Sequence, residues 1–82
     1  MRIISQNGFC YQDIPYEYSA FYMSTSGNHI YANCNGVVYS LAEYTTAKKA
    51  EKAMQKLHEE YECFKESEMI YCCFRFPQED EL

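Results

Sequence analysis

The chain lacks several features that mark common functional classes. It has no tryptophan, and its 82 residues include only three glycines and two prolines. It contains no run of about 18 apolar residues, so we expect neither a membrane-spanning helix nor a membrane partner. A phosphate-binding glycine motif, a G-x-S-x-G elbow and a C-x-x-C pair are all missing. The sequence therefore gives no support for a P-loop, a serine-hydrolase or a zinc-ribbon class.

Positive charge is also scarce. Seven Lys and Arg residues stand against twelve Asp and Glu residues, which gives a net charge of −5. Proteins that bind nucleic acids are usually basic, so we expect no direct binding of DNA or RNA. The acidic balance favours a basic protein surface as partner, or no charged partner at all.

The five cysteines do not form a metal or disulfide pattern. Their number is odd, and the adjacent Cys72 and Cys73 point to opposite faces if the segment is a strand. The opening "MRIISQNG" has no signal-peptide core. We therefore expect reduced thiols in a cytoplasmic protein, with no metal and no cofactor.

Local patterns predict strands in the first half of the chain. Asn35-Gly36 within "HIYANCNGVVYSLAEY" is the preferred two-residue hairpin turn. This turn predicts three cross-strand pairs on one face: Cys34 with Val37, Ala32 with Tyr39, and Ile30 with Leu41. Upstream, "SAFYMSTSGNH" reads as another strand followed by a turn. The first segment, "RIISQNGFCYQDIP", is either a hairpin at Asn7-Gly8 or one bulged strand that Pro15 ends or places at a sheet edge.

The second half predicts one helix and a final strand. Thr45 or Thr46 can cap the helix, and its apolar residues recur every three or four positions. These residues are Ala47, Ala50, Ala53, Met54, Leu57, Tyr61 and Phe64. "MIYCCFRFP" then alternates as a strand that Pro77 stops. The sequence thus predicts a single α+β domain over 1–82, with an antiparallel β-meander of about five strands and one helix packed on one face.

Catalytic residues do not group in the sequence. The two histidines, His29 and His58, fall in a turn region and on the helix, and no set of nucleophile, base and orienting group can be named. We therefore expect that the protein is not an enzyme.

Acidic residues concentrate near the end of the chain, where Lys65 and Arg75 are the only bases after residue 58. The helix also carries lysines early and glutamates late, which opposes its dipole. Two interpretations stay open: a solvated surface with a frayed tail, or a binding surface for a basic partner. The candidate partner-binding residues are Glu59, Glu60, Glu62, Glu66, Glu79, Asp80 and Glu81.

Tyrosine is abundant, with nine residues. The predicted register places a group of side chains on the sheet face away from the helix: Tyr22, Tyr31, Val38, Tyr44 and Tyr71. Strand propensity alone can account for these tyrosines. The alternatives are a homodimer interface or a pocket that stacks a nucleotide base.

Three segments together resemble a known group of proteins. They are "MRIISQ" (Met1 to Gln6), the start of the helix (Tyr44 to Thr46, with Ala50 and Met54), and "FRFP" (Phe74 to Pro77). This pattern resembles small, mostly uncharacterised proteins of phages and mobile elements of Gram-positive bacteria. The resemblance implies a bacterial host cell and an anti-defence role, such as that of anti-CRISPR proteins or of proteins that sequester nucleotide signals.

The resulting hypothesis is a non-enzymatic phage-derived protein that inhibits a bacterial immune system by stoichiometric binding. Its acidic surface would mimic nucleic acid against a defence effector. One alternative is a dimer that sequesters a nucleotide immune signal in a tyrosine-lined pocket. The other is a small structural homo-oligomer.

Overall fold

The computed structural model describes residues 1–8, 14–67 and 73–82. The strands are β1 (Arg2–Ile4), β2 (Ile14–Pro15), β3 (Ala20–Met23), β4 (His29–Cys34), β5 (Val37–Glu43) and β6 (Cys73–Arg75). The helix α1 spans Ala47–Glu66, and short 3-10 turns cover Tyr16–Tyr18 and Glu79–Glu81. No helix among these residues is both long and apolar enough to cross a lipid bilayer.

Strands β3, β4 and β5 form an antiparallel sheet in that order, which we call the meander sheet. The hairpin between β4 and β5 turns at Asn35 and Gly36, whose φ angles of 54° and 82° are both positive. A two-residue turn of this kind matches the twist of the flanking strands. The predicted pairs Cys34–Val37 and Ala32–Tyr39 are confirmed.

The third predicted pair is wrong because β5 contains a bulge. Tyr31 pairs with Ser40, whereas Ile30 pairs with Ala42, so Leu41 is the extra residue between the two pairs. A bulge reverses which face the following residues occupy. Every residue after Leu41 on β5 therefore faces the side opposite to the one that strict alternation predicts.

The remaining strands form a second, smaller sheet in the order β2-β1-β6, which we call the terminal sheet. Strand β1 is antiparallel to β2 and parallel to β6, with Ile3 beside Phe74. The predicted α+β class with one helix is confirmed. The meander, however, has three strands rather than about five, because the last strand pairs with the first strand and not with the meander.

Gln6 connects the two sheets. Its backbone N–H donates to the Leu41 carbonyl at 2.7 Å, beside the bulge. Its side-chain Oε1 accepts from the Glu43 N–H at 3.1 Å, and its Nε2 donates to the Pro77 carbonyl at 3.3 Å. Its own carbonyl accepts from Gln78 Nε2 at 2.6 Å. Gln6, a single residue that follows β1, thus joins β5 to the segment after β6.

Helix α1 closes the core from one side. The Thr46 hydroxyl caps it by accepting from the Lys49 N–H at 3.3 Å. Ala50, Ala53 and Leu57 are fully buried. Full burial of a leucine stabilises a fold by about 1.5–3 kcal/mol. The core also contains Ile3, Ile30, Ala32, Leu41, Ala42, Tyr44, Phe74 and Phe76, so it draws on both sheets.

Tyr16 ties the start of β3 to the second half of the helix. Its ring stacks on Tyr61 with centroids 4.0 Å apart and on Phe21 at 5.6 Å. Its hydroxyl lies 2.7 Å from His58 Nδ1. These contacts hold β3 close to the helix residues His58 and Tyr61.

Candidate protein-binding surface

One side of the helix carries a continuous row of carboxylates. Projection at roughly 100° per residue places Glu51, Glu59, Glu62 and Glu66 together, and we call these four residues the acidic flank. All four are exposed. In the part of the chain that the structure describes, none of them forms an ion pair or a hydrogen bond. Their charges therefore stay available to a partner.

Lys49, Lys52 and Lys56 project to a neighbouring side of the helix, which we call the lysine side, whereas Lys48 and Lys65 project close to the acidic flank. Lys52 and Lys56 line a shallow depression together with Glu81 and Leu82 near the end of the chain. Glu60 belongs to this side too, where it lines a second depression with Arg75. Glu59 lines both depressions, so the lysine side borders the acidic flank at this residue.

Glu79 has a structural role at the start of the helix. Its Oε1 accepts from both the Thr45 hydroxyl and the Thr45 N–H, each at 2.6 Å, and Lys49 Nζ lies 3.9 Å away. These hydrogen bonds, with help from Lys49, hold the pKa of the Glu79 carboxyl below its usual value. A carboxylate here complements the positive end of the helix dipole. This contact supplies the negative charge that the first turn of the helix lacks.

The predicted acidic surface is therefore divided. Glu59, Glu62 and Glu66 lie together on the acidic flank, whereas Glu60 lies on the lysine side. Glu79 contacts Thr45, and Glu81 Oε1 accepts from the Gln78 N–H at 2.6 Å, with Asp80 exposed between them. No local pattern indicates this division, because the contact between Glu79 and Thr45 joins distant segments.

An open groove of about 850 Å³ adjoins the acidic flank where β3 approaches the helix. Met23, Met54 and Cys63 contribute apolar surface, and Met23 is 38% exposed. The other lining residues are Glu51, Gln55, His58, Glu59 and Glu62. Sequence reasoning missed this groove, because Met54 falls in the predicted apolar stripe of the helix.

The sheet face away from the helix, which we call the open face, carries a row of stacked rings. Tyr22 and Tyr31 stack with centroids 5.5 Å apart, and His29 stacks on Tyr31 at 4.4 Å. Val38, on the neighbouring strand, is 52% exposed. The structure thus brings Tyr22, Tyr31 and Val38 to one exposed face.

Tyr44 does not belong to the open face, so its predicted interface position is wrong. It is only 2% exposed, and its hydroxyl donates to the Pro77 carbonyl at 2.8 Å. The bulge at Leu41 turns Tyr44 into the core. Burial, with the Glu81 and Glu79 carboxylates nearby, raises the pKa of Tyr44 to about 12. The fifth predicted interface residue, Tyr71, lies outside the described residues.

The same bulge creates a polar cluster that the sequence analysis missed. Ser40 Oγ lies 2.6 Å from His29 Nε2, and Glu43 Oε2 lies 3.3 Å from His29 Nδ1. Strict alternation would put Ser40 and Glu43 on opposite faces, so no local pattern signals the cluster. A hydroxyl, an imidazole and a carboxylate in this order could relay a proton. The Glu43 side chain is 71% exposed and Ser40 is also exposed, so water competes for each of these bonds.

Across residues 1–8, 14–67 and 73–82, no group of three or more His, Cys, Asp or Glu side chains could hold a metal ion. Comparison with known proteins adds no assignment: no protein-family model, curated protein or solved structure matches the chain. Within the described residues, the acidic flank with its groove and the open face both present exposed side chains to a partner.

Proposed function

We propose that the protein is a non-enzymatic inhibitor of phage origin that binds a bacterial defence effector stoichiometrically in the cytoplasm of the host cell. The observation that carries the proposal is the acidic flank beside an apolar groove. The carboxylates give charge selectivity and a fast encounter with a basic surface. The exposed Met23 and the half-buried Met54 give apolar area that adapts to a partner.

The spacing of the carboxylates suits mimicry of nucleic acid. Side chains three or four positions apart on a helix are roughly 5–6 Å apart at Cβ, so Glu59, Glu62 and Glu66 form a regular row of negative charges. Such a row can occupy the phosphate subsites of a nucleic-acid groove on a nuclease effector. The phage context comes from the resemblance of "MRIISQ", the start of the helix and "FRFP" to small phage proteins.

A plating assay tests this proposal. The protein is expressed in bacterial strains that each carry one nuclease-based defence system, and phage plaques are counted. We expect the wild type to restore plaques in one of these strains and the double variant Glu59→Lys/Glu62→Lys to fail. Glu60→Lys/Asp80→Lys is the matched control, because it makes the same change in net charge at two exposed positions outside the acidic flank. Equal activity of all three proteins, or no restored plaques in any strain, contradicts the proposal.

A second candidate function rests on the open face. The row formed by Tyr22, Tyr31 and His29 could stack against a nucleotide base, and a homodimer through this face would enclose it. Light scattering that shows a dimer, together with a thermal shift caused by cyclic nucleotides, would support sequestration of an immune signal. A dimer without any nucleotide shift would support a structural homo-oligomer instead.

A further inference from the structure

Strand β3 offers unpaired backbone groups beside the groove. It is an edge strand of the meander sheet, and among the described residues only β4 forms ladder bonds with it. The Ser24 N–H donates to the His29 carbonyl at 2.8 Å, so the hydrogen-bonded positions are Ser24, Tyr22 and Ala20. The N–H and C=O groups of Phe21 and Met23 therefore point away from β4.

This short edge carries no charge, proline or bulge that would block pairing. Edge strands are commonly blocked by a charged side chain, a proline or a bulge. The four residues Ala20–Met23 include no charge and no proline, and their pairing with β4 is regular. Tyr22 and Met23 are 42% and 38% exposed. The strand can therefore accept another strand.

The alternation of a strand fixes where an added segment would send its side chains. Its residues directly opposite Phe21 and Met23 would point to the groove side, and their backbone groups would bond β3. The groove has apolar surface from Met23 and Met54 and carboxylates from the acidic flank. Lysine and arginine match both properties, because their stems pack on apolar surface while their charges reach outwards. The intervening residues would lie beside Tyr22, which suits apolar side chains.

Charge disfavours a second copy of the chain at this edge. Antiparallel pairing of β3 with itself would bring two acidic flanks towards each other, and the whole chain carries a net charge of −5. Like charges across an interface oppose association. A basic segment would instead neutralise the carboxylates of Glu59 and Glu62.

We infer that β3 is a docking edge for an extended segment of the partner protein, in which long basic side chains face the groove and alternate with apolar side chains. This inference rests on the proposed function for the existence of a protein partner, and it adds the mode of recognition. Backbone hydrogen bonds to Phe21 and Met23 give affinity, and the acidic flank selects the charge.

A peptide experiment tests the docking edge without the natural partner. The probe is an acetylated and amidated (Lys-Val)4 peptide, titrated into the isotopically labelled protein at low salt and followed by amide chemical shifts. We expect shifts at Phe21, Met23 and Glu62. Methylation of every lysine backbone nitrogen should weaken binding at least about tenfold, because those N–H groups face β3. Methylation of every valine nitrogen should weaken it less than about threefold.

Two protein variants complete the test. Met23→Lys places a like charge at the groove and should weaken binding of the peptide about tenfold or more. Val38→Lys adds the same charge on the open face and should change the affinity for the peptide less than threefold. Equal binding of both methylated peptides, shifts confined to other surfaces, no binding, or a β3-mediated homodimer in light scattering would each overturn the inference. The plating assay tests the proposed function separately. If Glu59→Lys/Glu62→Lys loses inhibition in that assay while the peptide does not bind, only the docking edge is rejected.

Discussion

Reversal of one charge on the acidic flank should stabilise the isolated protein. Glu62 lies three residues after Glu59 and four before Glu66 on α1, so it has a like charge on each side. Each such pair costs about 0.2–0.5 kcal/mol. Glu62→Lys turns these two repulsions into attractions, but it also turns the attraction to Lys65, three residues later, into a repulsion. The net gain in the free energy of unfolding should be about 0.5 kcal/mol. For a domain of this size, the midpoint of thermal unfolding should rise by roughly 3 °C.

Glu60→Lys is the matched control. It makes the same change in net charge, but Lys56 lies one turn before it on the lysine side. This variant replaces an attraction by a repulsion, so it should lose about 0.5 kcal/mol. Urea unfolding of both variants at 20 mM and at 1 M NaCl measures the difference, which should shrink at high salt because the Debye length falls to about 3 Å. If Glu62→Lys is no more stable than Glu60→Lys at low salt, then the crowding of charge on the acidic flank does not destabilise the protein.

Three further results are expected. Tyr44→Phe should cost about 1 kcal/mol at neutral pH through the lost bond to Pro77. Because the folded pKa of Tyr44 is raised to about 12, the wild type should lose up to about 2 kcal/mol more than this variant between pH 10 and 12, and equal pH profiles in urea unfolding would refute the assignment. Gln6→Ala should lower the free energy of unfolding by about 2 kcal/mol in urea titrations, since two side-chain hydrogen bonds are lost; a change under about 0.5 kcal/mol would argue against its joining role. Ser40→Ala should leave the slow hydrolysis of p-nitrophenyl acetate unchanged, and a burst that depends on Ser40 would contradict the non-enzymatic proposal.

Local sequence signals sufficed for the elements that short-range physics controls. The positive φ of Asn35 and Gly36 follows from the Asn-Gly turn, and the turn then sets the first two pairs of the hairpin. The helix begins after Thr46 and buries Ala50, Ala53 and Leu57, as their spacing predicts.

Long-range contacts account for what the sequence could not indicate. The bulge at Leu41 contacts Gln6, which follows the distant strand β1, and it turns Tyr44 towards the core. Alternation along β6 and into the next residue predicts that Phe74 and Phe76 share a face, but it cannot indicate which strand pairs with β6. Likewise, the sequence around Glu79 does not indicate that its carboxylate accepts hydrogen bonds from Thr45. As a result, Tyr44 and Glu79 do not lie on the binding surfaces that were predicted for them.

The parallel pair of β1 and β6 also constrains how the chain can assemble during synthesis. The ribosome releases Arg2–Ile4 early, yet the partner Cys73–Arg75 emerges only after the hairpins and the helix have left the exit tunnel. Contacts so distant in sequence form slowly, because a large loop must close first. We therefore expect the segment between β1 and β6 to fold first, and β1 to stay unpaired until β6 has left the ribosome.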